Sequence, residues 1–265
     1  MRVHHLNCGS LRPFGGRFID GRPGYLRRAR MVCHCLLVET DDGLTLVDTG
    51  VGPRDTLPTT FMAVTNPTMD ITETAARQVV RLGYEVADVR HIVLTHMDLD
   101  HAGGVKDFPR AKVHVYAEEL RNALAQDDRS DRMRFRPAQW AGADFETYTA
   151  DGEEWFGFDA VQPLKGLGED IALVPLAGHT KGHAGVAVRT DGKWLLHAGD
   201  SYFFHREMDP AQPYCTPGLS LFQRIVETER KPRLANQDRL RSLVRDHGDE
   251  VNVFSAHDPI EFDRH

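Results

Sequence analysis

Apolar and polar residues alternate through positions 33–39, pause at Asp42-Gly43 and resume through 44–47, a hairpin pattern that closes in Asp48-Thr49-Gly50. The same order returns later, with apolar residues at 186–189, a turn at Asp191-Gly192, a second strand at 194–197 and the small, acidic stretch Ala198-Gly199-Asp200. Two such units predict two related halves packed on each other. Short apolar runs at 91–94, 112–116, 171–175 and 251–254 read as further buried strands. Helical spacing puts Ala75, Val79 and Leu82 on one face of a helix over 71–82, with Asp70 to start it and Gly83 to end it. Further helices are predicted over 117–126, 219–229 and, beyond Pro232, 234–246, the last charged and amphipathic. Strands interleaved with helices predict a layered α/β fold in a single domain over 1–265. Residues 127–143 carry no period and read as a long connection or a lid.

Composition narrows the partners. With 32 Lys+Arg against 39 Asp+Glu the formal net charge is -7, whereas binding a phosphate backbone calls for a basic face, so nucleic acid is not expected. No run approaches the roughly 20 apolar residues that would span a bilayer, and the first ten residues lack the apolar core of a signal peptide, so a cytoplasmic protein acting on a small molecule is expected. Cys8, Cys33, Cys35 and Cys215 are too few for a disulfide framework, and Cys33 and Cys35 read as buried thiols, not a metal pair.

The chemistry concentrates in Thr95-His96-Met97-Asp98-Leu99-Asp100-His101-Ala102-Gly103-Gly104, directly after an apolar strand. A lone His or Asp is usually a surface or capping residue, but His96, Asp98, Asp100 and His101 together can feed two adjacent metal ions. Three further segments place His or Asp after a strand and beside small residues: Gly178-His179-Thr180-Lys181-Gly182-His183, Gly199-Asp200 and Ala256-His257-Asp258. Small neighbours leave room for an ion and its water.

In these segments the chain resembles the metallo-β-lactamase fold superfamily of hydrolases, whose signature is His-x-His-x-Asp-His, then Gly-His-Thr-x-Gly-His, a Gly-Asp and a late His. The resemblance runs in the same order from the Asp48-Thr49-Gly50 loop through His257. It implies a four-layer αββα sandwich, with two stacked mixed sheets, helices outside, and a binuclear site along one edge. Carried over, metal site one takes His96, Asp98 and His179, site two takes Asp100, His101 and His257, and Asp200 bridges. His183 and Asp48 are then supporting residues that pack against or hold the ligand loops. The lactonase and esterase-like branch is the nearest in pattern, which makes the expected activity a metal-dependent hydrolysis of a small ester, lactone or related substrate by a bridging hydroxide. Asp100 would orient the nucleophile or shuttle its proton, and Tyr202 would donate to a developing oxyanion.

One departure is chemical. The second His of the signature is Asp98, so two divalent ions face three carboxylates, about one positive charge fewer than the full motif keeps. Less positive charge weakens Lewis acidity, and a harder donor admits Mn²⁺ or Fe²⁺ beside Zn²⁺, which is the first expectation. Two other readings share this fold: a non-haem di-iron oxidoreductase, because flavodiiron proteins carry an acidic residue at this position, and a metal-binding scaffold without activity. The substrate is not readable, because its pocket comes from loops at 51–70, 127–145 and 202–218, with Phe61, Met62, Phe135, Trp140, Phe203 and Phe204 as candidate apolar walls.

Overall fold

The computed structural model describes residues 1–127, 129–149 and 151–265, with residues 160–162 described by their backbone. Twelve strands are placed among them: β1 Arg2–Leu11, β2 Met31–Thr40, β3 Gly43–Val47, β4 Val89–Val93, β5 Lys112–Tyr116, β6 Asp144–Tyr148, β7 Glu153–Trp155, β8 Phe158–Pro163, β9 Ile171–Pro175, β10 Ala184–Thr190, β11 Lys193–His197 and β12 Val251–Phe254. They form two six-stranded sheets, ordered β1-β2-β3-β4-β5-β6 and β12-β11-β10-β9-β8-β7. Both are mixed: β3 to β6 run parallel, as do β11 and β12, while the remaining neighbours are antiparallel. The two expected hairpins are β2–β3, with Thr40 opposite Gly43, and β10–β11, with Thr190 opposite Lys193.

Alternation along each strand sets the layers, since successive side chains leave on opposite faces. From β2, Leu36 and Val38 join Val93, Ile171, Leu173, Val186 and Val188 in a core between the sheets. Cys35 and Leu37, on the other face, meet Ala75, Val79 and Ala123 of the outer helices Ala75–Arg81 and Ala117–Ala125. On the far side, Val174, Ala187 and Leu196 pack on Leu240 and Leu243 of the helix Arg230–His247. The result is helix, sheet, sheet, helix. Strands covered on both faces are apolar at nearly every position, as in Met31–Val38.

Three expectations need correction. The helix read over 71–82 is a 3-10 turn, Ile71–Glu73, then a separate α-helix, because Asp70 caps the first piece through Thr72 N–H and Thr74 restarts the chain by accepting from Arg77 N–H. The last long helix begins at Arg230, before Pro232, which sits in the first turn where its missing N–H is not needed. Apart from residue 128, which lies outside the described residues, the 127–143 segment is folded, with helices Arg129–Arg134 and Pro137–Trp140. Among the described residues no helix is long and apolar enough to cross a membrane.

Candidate metal centre

The site lies where loops leave the carboxyl ends of β4, β9, β11 and β12, bringing residues 94–104, 176–183, 198–201 and 255–258 together. Two groups of buried donors meet there, His96 with His179 and Asp200, and His101 with His257 and Asp200. Asp200 belongs to both. Its Oδ2 faces His179 Nε2 at 3.4 Å and His96 Nε2 at 3.9 Å; its Oδ1 faces His257 Nε2 at 3.1 Å and His101 Nε2 at 3.3 Å. A third group joins Asp100, His257 and Cys33, with Asp100 Oδ2 3.8 Å from His257 Nε2.

Each loop is held by groups that also aim the donors. Asp48, with a left-handed φ of 56°, accepts from Thr95 N–H and Thr95 Oγ1–H, each at 2.8 Å, and meets His101 Nδ1 at 2.8 Å. His257 Nδ1 donates to the Val32 carbonyl of β2 at 2.7 Å, which turns Nε2 towards Asp200. His183 donates from Nδ1 to the Leu176 carbonyl and accepts the Asp200 N–H at Nε2. Gly199 runs with a φ of 53°, and a Cβ there would lie 2.5 Å from His183 Nε2, so the position before Asp200 needs glycine. Glu119, fully buried in the first turn of its helix, accepts from Met97 N–H and Gly182 N–H and so ties the loops that carry His96 and His179 together. Such outer contacts fix ring orientation.

Charge follows the same geometry. Burial holds the His96 imidazole down to about 4, with His101 adding to the effect. At His101 and His257 burial is outweighed by Asp200, joined at His101 by Asp48, and both rings are raised well above the ordinary imidazole range. The carboxylates there favour positive charge. His96 Nε2, Asp98 Oδ1 and Asp200 Oδ1 are buried with no hydrogen-bond partner among the described residues. An unsatisfied buried polar atom costs about 1–3 kcal/mol, and one cation in each donor group would remove that cost at His96 Nε2 and at Asp200 Oδ1. The donor set therefore fits a pair of divalent ions.

Asp98 is placed differently from the other carboxylates. Its Oδ2 lies 3.0 Å from His179 Nε2 and 3.4 Å from His96 Nε2, and also 3.2 Å from Arg134 Nη1. Burial would raise this carboxyl; Arg134 and His96, with the His179 bond, hold it well below the usual range. Asp100 is raised, by burial first and by Asp200 and Asp98 against the opposing imidazoles.

Tyr202 does not have the placement expected of an oxyanion donor. It is fully buried in the core beneath the helix Arg230–His247, and its hydroxyl donates to Glu261 at 3.0 Å. The residue beside it does face the site: the Phe203 ring stacks on His257 at 5.3 Å and stands 6.0 Å from His179. Phe203 and Phe204 form an apolar cluster with Met31, Val51, Leu57 and Leu99, and Phe61 and Met62 pack against it. Phe135 and Trp140 lie instead in the core under the first sheet. Cys33 and Cys35 are buried as expected, yet Cys33 stands beside Asp100 and His257, which its spacing from Cys35 did not indicate. Burial pushes the Cys33 thiol up to about 11 despite His257, so it is a neutral neighbour.

Comparison with known proteins places the chain in a family. The chain is 42% identical over 264 residues, 98% of its length and 81% of the other, to a protein of Mycobacterium tuberculosis described as a probable metallo-hydrolase. It is 26% identical over 205 residues, covering 73% of this chain and 67% of the other, to the N-acyl homoserine lactonase AttM of Rhizobium radiobacter. A solved structure of an N-acyl homoserine lactone hydrolase, with the product N-hexanoyl-L-homoserine bound at the catalytic metal centre, superposes with a TM-score of 0.73 at 18% identity, covering 99% of this chain and 95% of that one. The sequence profile described as the Metallo-beta-lactamase superfamily matches residues 28–233. The chain belongs to the metallo-beta-lactamase superfamily.

Proposed function

We propose that the protein is a metal-dependent hydrolase that opens a small ester or lactone at a binuclear centre. The observation that carries this reading is Asp200, whose two carboxylate oxygens are divided between two pairs of buried imidazoles. His96, His179 and Asp200, with Asp98 at their side, would hold one ion; His101, His257, Asp200 and Asp100 would hold the other. Zinc is the proposed metal, with manganese or iron admitted by the carboxylates. Two such ions, when bound, lower the pKa of water and polarise a substrate carbonyl.

The chain's own residues do the rest. Asp48 and the Val32 carbonyl keep His101 and His257 aimed inward, so no ring has to reorient during turnover. Asp100, whose Oδ2 lies 3.8 Å from His257 Nε2, would orient the nucleophile or shuttle its proton. Phe203 and its neighbours supply an apolar wall that excludes water and receives the aliphatic part of a substrate. The lactone-cleaving relatives support the substrate class.

A screen of lactones, aryl esters and phosphotriesters, run separately with Zn²⁺, Mn²⁺ and Fe²⁺, tests the reading. Turnover of a lactone or ester that disappears on chelation is expected. Protein that retains stoichiometric metal yet cleaves none of these classes would overturn the hydrolase assignment.

A further inference from the structure

Arg134 comes from a segment that carried no sequence signal, yet its side chain is only 9% exposed and reaches the metal centre. Its Nη1 contacts Asp98 Oδ2 at 3.2 Å and donates to the His179 carbonyl at 3.3 Å, while Nη2 donates to the Val226 carbonyl. These carbonyls fix the guanidinium fork on both sides. Asp98 is the one carboxylate within ion-pair distance of it among the described residues, although buried Glu119 also feels its charge. The same Oδ2 faces His96 and His179, so the carboxylate stands between a permanent cation and two site-one imidazoles.

We infer that Arg134 is the counter-charge that lets a carboxylate stand at position 98: the pair sums to zero, as a neutral imidazole would, and site one keeps the positive charge that Asp98 alone would remove. Guanidinium stays charged at every pH the fold survives, so the compensation is permanent. This deepens the proposed function, since it rests on the reading that His96, His179 and Asp200 hold a cation. Arg134 is a positioning residue that acts through Asp98.

The sign of one measurement separates this role from simple anchoring. Zn²⁺ retention is measured against a chromophoric chelator in wild type, Arg134→Gln, Arg134→Lys, and Asp98→His with and without Arg134→Gln. Removing the counter-charge leaves the site more negative, so Arg134→Gln should hold its more weakly bound ion more tightly, on the order of tenfold. Arg134→Lys keeps the charge and should match wild type. Asp98→His should loosen the ion, and Arg134→Gln in the same chain should restore it. Weaker or unchanged retention in Arg134→Gln, or a Lys variant that behaves like Gln, overturns the inference.

Should wild-type protein hold no divalent ion, the proposed function falls, and the pair is still judged on its own in metal-stripped protein. There Asp98→Asn and Arg134→Gln together should lower the melting temperature no more than either alone. Additive losses would show that the two side chains do not act as a unit.

Discussion

The two donor groups that share Asp200 are built on different principles. At His101 and His257 both rings are locked from behind, one by the Asp48 carboxylate and one by the Val32 carbonyl. At His96 and His179 the support is softer. His96 Nδ1 meets the Thr95 hydroxyl at 3.0 Å, and His179 is placed through its backbone, whose carbonyl accepts from Thr228 Oγ1–H at 3.0 Å and from Arg134. The first group aligns its donors through a carboxylate and a carbonyl set directly behind the rings; the second relies on loops tied by Glu119 and lies beside the Asp98–Arg134 pair. Chelation should therefore strip the His96–His179 side first.

Substitutions can break this contrast at graded strength. Asp200→Ala removes the carboxylate common to both groups and should lower kcat/KM by more than the roughly 100-fold ceiling typical of supporting residues, with loss of ion from both sides. Asp48→Ala should cost roughly 10- to 100-fold in affinity for the ion at His101 and His257, read by metal titration. Glu119→Gln should act on the opposite side and more weakly, at the lower end of that range, because the amide keeps one acceptor for Met97 N–H or Gly182 N–H. If Asp48→Ala weakened the ion at His96 and His179 more than the ion at His101 and His257, the contrast would be wrong.

A smaller effect lies behind the site and should leave the metals alone. Burial, with Asp258 adding to it, pushes Glu261 up to about 8 from 4.5. Folding thus favours its protonated form, so its stabilising contribution is complete below about pH 4.5 and is lost as pH rises through about 8. Glu261→Gln stays neutral and can still accept from the Tyr202 hydroxyl. Its melting temperature should fall less than that of wild type between pH 5 and 9, ending higher at pH 9 by on the order of 5 °C. Metal content should be unchanged.

What could be read from the chain depended on whether the signal was local. The ligand loops are contiguous short motifs at strand ends, so His96, Asp98, Asp100, His101, His179, Asp200 and His257 were nameable before their convergence was known. The repeated hairpin was legible because each copy has its own turn, at Asp42-Gly43 and Asp191-Gly192. β1 carries no apolar period of its own, because His4, His5, Asn7 and Ser10 interrupt both of its faces; its partner β2 supplies the pairing. Arg134 was illegible for a different reason: its role depends on a charge 36 positions away in the sequence and on carbonyls of His179 and Val226 that no periodicity announces. Tyr202 misled because adjacency to Asp200 says nothing about which way a ring turns. The ring entered the core and Phe203 took the side facing the site.

The central claim is that Asp200 joins two cation sites, and metal content measures it most directly. Protein equilibrated with Zn²⁺ and freed of excess should carry two equivalents per chain, reduced to one or fewer by Asp200→Ala. Wild-type protein with one equivalent or none, or an Asp200→Ala variant that keeps two, would contradict the account.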